Sequence, residues 1–127
     1  MIFNTTTKKG SGNGRALGYP TINMEVPIFR LLMSKTGVYA AHATVEGKKY
    51  DGALYYGPVL LFGGKENALE IHLLDVGFFS IGEGKPIKIE LVKHIRGVMK
   101  FDSREALILK MKDDVAEIKR ILKEKIN

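Results

Sequence analysis

The stretch KPIKIELVKHI, residues 85–95, followed by FDSREALILKMKDDVAEIKRIL, residues 101–122, decides the class of fold. In the first part Ile87, Ile89, Leu91 and Ile95 fall on one face of an alternating pattern and Lys88, Glu90 and His94 on the other. That is the period of a half-buried antiparallel strand. In the second part Leu107, Met111, Val115, Ile118 and Leu122 recur at steps of four, four, three and four, one apolar stripe of an amphipathic helix. Asp102, with Glu105 three residues on, fits a capping box, so the helix is expected to start at Asp102 or Ser103 and to run close to the C-terminus.

Outward from this stretch, the rest of the chain is built of short strands. Residues 76–84 form an expected exposed loop, Ala68 to Leu74 reads as a strand, and Val59 to Phe62 is a short apolar run ended by the turn signal Gly63-Gly64. Val38 to Val45 and Tyr50 to Tyr56 flank the polar turn Glu46-Gly47-Lys48 and read as a hairpin. In residues 25–36 a helical turn through Ile28, Leu31 and Leu32 and a loop bracketed by Pro27 and Gly37 both remain open. Residues 1–24 give a short strand, a basic glycine loop and an extended segment. Short strands joined by glycine turns and closed by one helix predict a mainly β fold, a small antiparallel barrel with the helix packed against it, as one domain over residues 1–127.

Composition narrows the function. A chain of 127 residues has room for one ordinary core, and its 45% hydrophobic and 27% charged residues are those of a globular protein. The absence of cysteine excludes a disulfide scaffold and a thiolate metal site, so any metal must be held by oxygen or imidazole. No apolar run is long enough for a membrane helix and no signal-peptide core follows Met1, so a cytoplasmic protein without a membrane partner is expected. The net charge of +6 suits a nucleic acid and a polyanionic nucleotide equally.

Chemistry concentrates in GRALGYPTINM, residues 14–24. Pro20 lacks a backbone donor, and Thr21 and Asn23, two apart in an extended segment, present their polar side chains on the same side. The preceding run holds Gly10, Gly12, Gly14 and Gly18 together with Lys8, Lys9 and Arg15, so the pair suits a hard cation and the phosphates it bridges. The bland alternative is a turn in which Thr21 and Asn23 bond their own backbone. Gly10-Ser11-Gly12-Asn13-Gly14 has neither the long preceding strand nor the following helix of a dinucleotide fingerprint, and no GxxxxGK[ST] or protein-kinase signature occurs. Glu70 enters an apolar strand in which alternation sets Glu70, His72 and Leu74 on one face. A carboxylate there needs a partner or a role, unless it simply faces water at an edge. His42, His72 and His94 read as ordinary histidines, with His72 singled out for sharing the face of Glu70.

The segment from Gly10 to Asn23 resembles the glycine-rich flap and PTAN motif of the riboflavin kinase (flavokinase) family, with Ile22 where alanine is usual. Gly37-Val38-Tyr39-Ala40, Gly57-Pro58, Glu70-Ile71-His72-Leu73-Leu74-Asp75 and Lys100-Phe101-Asp102-Ser103 are similar to further family segments in the same order, across nearly the whole chain. The resemblance implies a six-stranded antiparallel Greek-key barrel with a C-terminal helix, its site at one mouth. It implies transfer of the γ-phosphate of ATP to the 5′-hydroxyl of riboflavin, giving FMN and ADP, with Glu70 as catalytic base. Thr21 and Asn23 would hold Mg²⁺ or another divalent ion, and Gly10, Gly12, Gly14, Arg15, Gly18, Thr21 and Asn23 would meet the nucleotide. Arg96, Met99 and Phe101 fall where the family binds the flavin, with Phe78 and Phe79 as neighbours. The family's asparagine-containing segment is replaced by Tyr55-Tyr56-Gly57-Pro58, and its acidic residues after the arginine by Gly97-Val98-Met99. A monomer acting on riboflavin and ATP is expected, with no nucleic-acid partner and no room for a second domain making FAD. Two rival functions stay in view: a non-catalytic basic β-barrel that binds nucleic acid, and a degenerate relative that binds flavin or nucleotide without turnover.

Overall fold

The computed structural model describes residues 1–9, 18–27, 35–58, 67–76 and 81–125. Strands β1 (Ile2–Lys8), β2 (Ile22–Met24), β3 (Gly37–Val45), β4 (Lys48–Pro58), β5 (Asn67–Leu73) and β6 (Pro86–Arg96) precede one helix, α1 (Arg104–Lys125). The strands pair antiparallel in the order β1-β2-β5-β4-β3-β6, and β6 returns to β1 to close a barrel. Because β3, β4 and β5 form a meander while β2 and β6 flank it from either side, the connections are those of a Greek key. This is the small barrel with one helix that the strand pattern predicts, with the six strands that the family resemblance implies. The ambiguous piece within residues 25–36 lies mostly, and Val59 to Phe62 wholly, outside the described residues.

The β3–β4 hairpin turns on two residues, Glu46 (φ 50°) and Gly47 (φ 79°), whose positive φ angles give the backbone twist that matches paired strands. Lys48 is already paired with Val45, so the expected three-residue turn is one shorter. Phe3, Met24, Tyr39, Leu54, Leu69, Ile71, Ile87 and Ile89 fill the barrel. A second core lies outside it, where Val38, Ala40 and Leu74 meet Ile118, Ile121 and Leu122 of α1. Strand β3 is therefore buried on both faces, and the small side chain of Ala40 lets the helix approach. Gly37 (φ 131°) closes the same strand against β6, where a Cβ would come within 2.0 Å of the Arg96 carbonyl oxygen.

Two sequence expectations fail at β6 and α1. Register shifts fall between Val38 and Tyr39 and between Ala40 and Ala41, so β6 passes β3 with Val92 and Ile95 unpaired. After these bulges the faces exchange: Ile95 joins Val92 against the helix instead of following Ile87, Ile89 and Leu91 inward. His94 pairs with Tyr39, its ring 4.9 Å away in a T-shaped contact, and its Nε2 lies 3.0 Å from the Thr36 carbonyl. The helix cap is Ser103 rather than Asp102: the Ala106 amide donates to Ser103 Oγ at 3.1 Å. Ala106 then occupies the position where a capping box needs Glu or Gln, so the bond is not reciprocated.

The expected exposed loop at 76–84 is tied down at its ends. Val76 and Ile81 pack on the barrel core. Buried Thr7 takes the Lys85 amide on its hydroxyl at 3.0 Å and the Gly84 amide on its carbonyl at 2.8 Å. Only Gly82, Glu83 and Gly84 of its described residues are exposed.

Candidate active site

The pairing of β2, β5 and β4 sets Asn23, Glu70 and Tyr55 side by side in one row. The next row, Ile22, Ile71 and Leu54, points into the barrel, so the first row lies on the outer wall. Thr21, just before β2, donates its hydroxyl to Glu70. The two polar residues singled out in the PTIN segment and the carboxylate on β5 are thus brought together.

Partial burial of Glu70 raises its pKa above the ordinary carboxylate value, because the charged form loses hydration; the Thr21 hydrogen bond opposes that rise by favouring the carboxylate. A carboxylate raised in this way is a better proton acceptor than one in water. Tyr55 is pushed up to about 12, first by its own burial and then by the negative charge of Glu70, with Arg96 pulling the other way. Its phenol stays neutral at physiological pH and donates to the Pro58 carbonyl.

Tyr55 stands between the expected phosphate side and the expected flavin side. It feels the charges of both Glu70 and Arg96. Gly57, two residues on, runs so close under the segment after β6 that a Cβ there would lie 2.9 Å from Val98 and 3.1 Å from the Tyr55 hydroxyl. Met99 is exposed, while Arg96 sits over the Phe101 ring at 5.8 Å. The guanidinium is already engaged: Nε reaches both Asp114 oxygens at 3.1 and 3.0 Å, a terminal nitrogen reaches Oδ2 at 2.9 Å, and the other donates to the Gly97 carbonyl. Arg96 therefore ties the end of β6 to α1.

His72 lies on the outer face with Glu70 and contacts the head of the PTIN segment, with Nδ1 2.9 Å from the Pro20 carbonyl oxygen and its ring 5.4 Å from that of Tyr19. Sequence reasoning passed over Tyr19 and Asp114, and named Tyr55 only within a segment that departs from the family pattern. For Tyr55 the signal was available, since strand alternation places it on the face opposite that of Leu54. Gly18 is exposed with φ 85°; Gly10, Gly12, Gly14 and Arg15, with Phe78 and Phe79, lie outside the described residues.

Among the described residues no group of three or more His, Asp or Glu side chains could hold a metal by itself. Thr21 and Asn23 offer neutral hard oxygens beside one carboxylate, a donor set that fits Mg²⁺ carried mainly by phosphate oxygens and water. No described helix is long and apolar enough to cross a membrane.

Comparison with known proteins places these features in a family. The model of the family described as "Flavokinase: Riboflavin kinase" matches residues 1–122. The RNA-binding riboflavin kinase RibR of Bacillus subtilis is 35% identical over 116 residues, 91% of this chain and 48% of that protein. A solved structure described as a macrolide-efflux protein from Streptococcus pneumoniae superposes with a TM-score of 0.76 at 28% identity, covering 94% of this chain and 38% of the other. Riboflavin kinase from Trypanosoma brucei superposes with a TM-score of 0.69 at 23% identity, covering 96% and 79% of the two chains, a likeness of fold. The chain spans half or less of the length of the first curated relatives it matches.

Proposed function

Because the chain belongs to the riboflavin kinase (flavokinase) family, we propose that it transfers the γ-phosphate of ATP to the 5′-hydroxyl of riboflavin. The observation that carries this reading is the row Asn23, Glu70 and Tyr55 with Thr21 bonded to its carboxylate. Phosphoryl transfer passes through a loose transition state, so alignment and charge neutralisation do most of the work. Glu70 accepts a hydrogen bond from the ribityl 5′-hydroxyl and aims its oxygen at the γ-phosphorus. As the new P–O bond forms and the bond to the ADP oxygen breaks, the hydroxyl proton passes to Glu70. Thr21 and Asn23 hold the phosphate end and would hold Mg²⁺, which would supply charge neutralisation at the phosphate oxygens. The flavin ring lies toward Met99 and Phe101, with Tyr55 as the neutral wall between ring and carboxylate.

The experiment is incubation of the purified chain with riboflavin, ATP and Mg²⁺, followed by chromatographic separation of riboflavin from FMN. FMN is the expected product. Its absence with several nucleotides and divalent ions would overturn the reading and leave a binding protein without turnover.

A second reading, contact with RNA, is favoured by one observation, the relative whose name describes an RNA-binding riboflavin kinase, together with a net charge of +6. Binding of a single-stranded RNA by this chain at moderate salt, weakening steeply as salt rises, would support it.

A further inference from the structure

We propose that His72 is a positioning residue for the segment from Pro20 to Asn23, holding it so that Thr21 meets Glu70; the proposal rests on the phosphoryl-transfer reading of this site. The reason lies in how little else fixes the start of that segment. Strand β2 has three residues; its ladder with β1 reaches no further than Asn23 opposite Lys8, and its ladder with β5 no further than Ile22 opposite Ile71. The next rung would set Thr21 opposite His72, but Thr21 lies outside the strand and Pro20 has no N–H to continue a ladder.

A side chain replaces the missing rung. The Pro20 carbonyl can only accept, so the 2.9 Å contact requires the proton on His72 Nδ1. The Tyr19 ring stands nearly perpendicular to the imidazole, at 78°, and adds an edge contact one residue earlier. At Gly18 the backbone takes a positive φ of 85°, so the hold falls where the chain turns into the segment. His72 and Glu70 are two apart on one strand and share its outer face, so the histidine that fixes the segment and the carboxylate that Thr21 must reach are carried by the same rigid element. A packing role would need only shape, whereas this one needs a donor at the position of Nδ1.

That difference is the test. In His72→Asn the side-chain nitrogen takes the place of Nδ1, while His72→Phe keeps the ring against Tyr19 without a donor; His72→Leu is a second donor-free variant should the first not fold. For the donor-free variant we expect KM for Mg-ATP to rise roughly fivefold to tenfold, the scale of one lost hydrogen bond, with KM for riboflavin unchanged within about twofold. Amide exchange at Thr21 and Ile22 in the ligand-free protein should accelerate in the same variant, and His72→Asn should restore most of both. Wild-type behaviour of the donor-free variant, or equal impairment of His72→Asn, would overturn the proposal. If the wild-type chain makes no FMN, the kinase reading fails, and the exchange rates still decide whether His72 holds the segment.

Discussion

Glu70 carries a cost that its proposed role explains. Its folded-state pKa is raised by burial, so the ionised carboxylate is less favourable in the folded chain than in the unfolded one. The contribution to stability is therefore fully present below the unfolded-state pKa and is lost as pH rises through the folded one. Glu70→Gln should raise the melting temperature at neutral pH, and the gain should shrink in acid, as seen by calorimetry at two pH values. Catalysis runs the other way, because a base must be ionised. The acid limb of the kcat/KM profile should lie above the ordinary glutamate range, and Thr21→Ala, which removes the opposing hydrogen bond, should move that limb to still higher pH. An acid limb unmoved by Thr21→Ala would separate the two residues. Asn23→Ala should weaken Mg-ADP binding in calorimetry, by roughly tenfold for one lost charge-assisted contact; unchanged affinity would return Asn23 to a turn residue bonding its own backbone.

At the scale of elements, the buried pair of Arg96 and Asp114 joins β6 to α1, with side-chain exposures of 13% and 5%. Removing one partner of such a pair leaves a buried charge uncompensated, typically about 3–5 kcal/mol. Asp114→Ala should lower the urea midpoint accordingly, and a loss below about 1 kcal/mol would show that Arg96 finds water instead. This pair was not legible in the sequence, since nothing in Asp113-Asp114 says which carboxylate turns inward toward a strand 18 residues earlier. The bulges at Val92 and Ile95 were equally silent: neither glycine nor proline marks them, so strict alternation carried Ile95 to the wrong face. By contrast the β3–β4 hairpin and the helix stripe were legible, because local periods and a glycine turn specify them. Ser103 and Asp102 are both good caps in adjacent positions, so residue type does not choose between them.

For the whole molecule, the pairing of β2 with β5 inside the barrel is what brings the candidate site together. Thr21 and Asn23 are about fifty residues from Glu70 in the chain, and only the antiparallel β2–β5 pairing sets them together. Local chemistry and the family resemblance singled out Thr21, Asn23 and Glu70 as candidates in the sequence, but not that they lie together on the outer face of the strands, which follows from register. The helix covers the neighbouring part of that wall, where Tyr55 and Ile95 pack against its core cluster. In the proposed reaction the carboxylate in this row is the base for phosphoryl transfer to riboflavin. The measurement that tests it most directly is the rate of FMN formation by wild type and by Glu70→Gln under saturating Mg-ATP and riboflavin, with folding and Mg-ADP affinity checked for both. FMN from wild type and a loss of about 10²–10⁴-fold in the variant, with nucleotide affinity retained, are expected; a variant within two- or threefold of wild type would contradict the role of Glu70 as base.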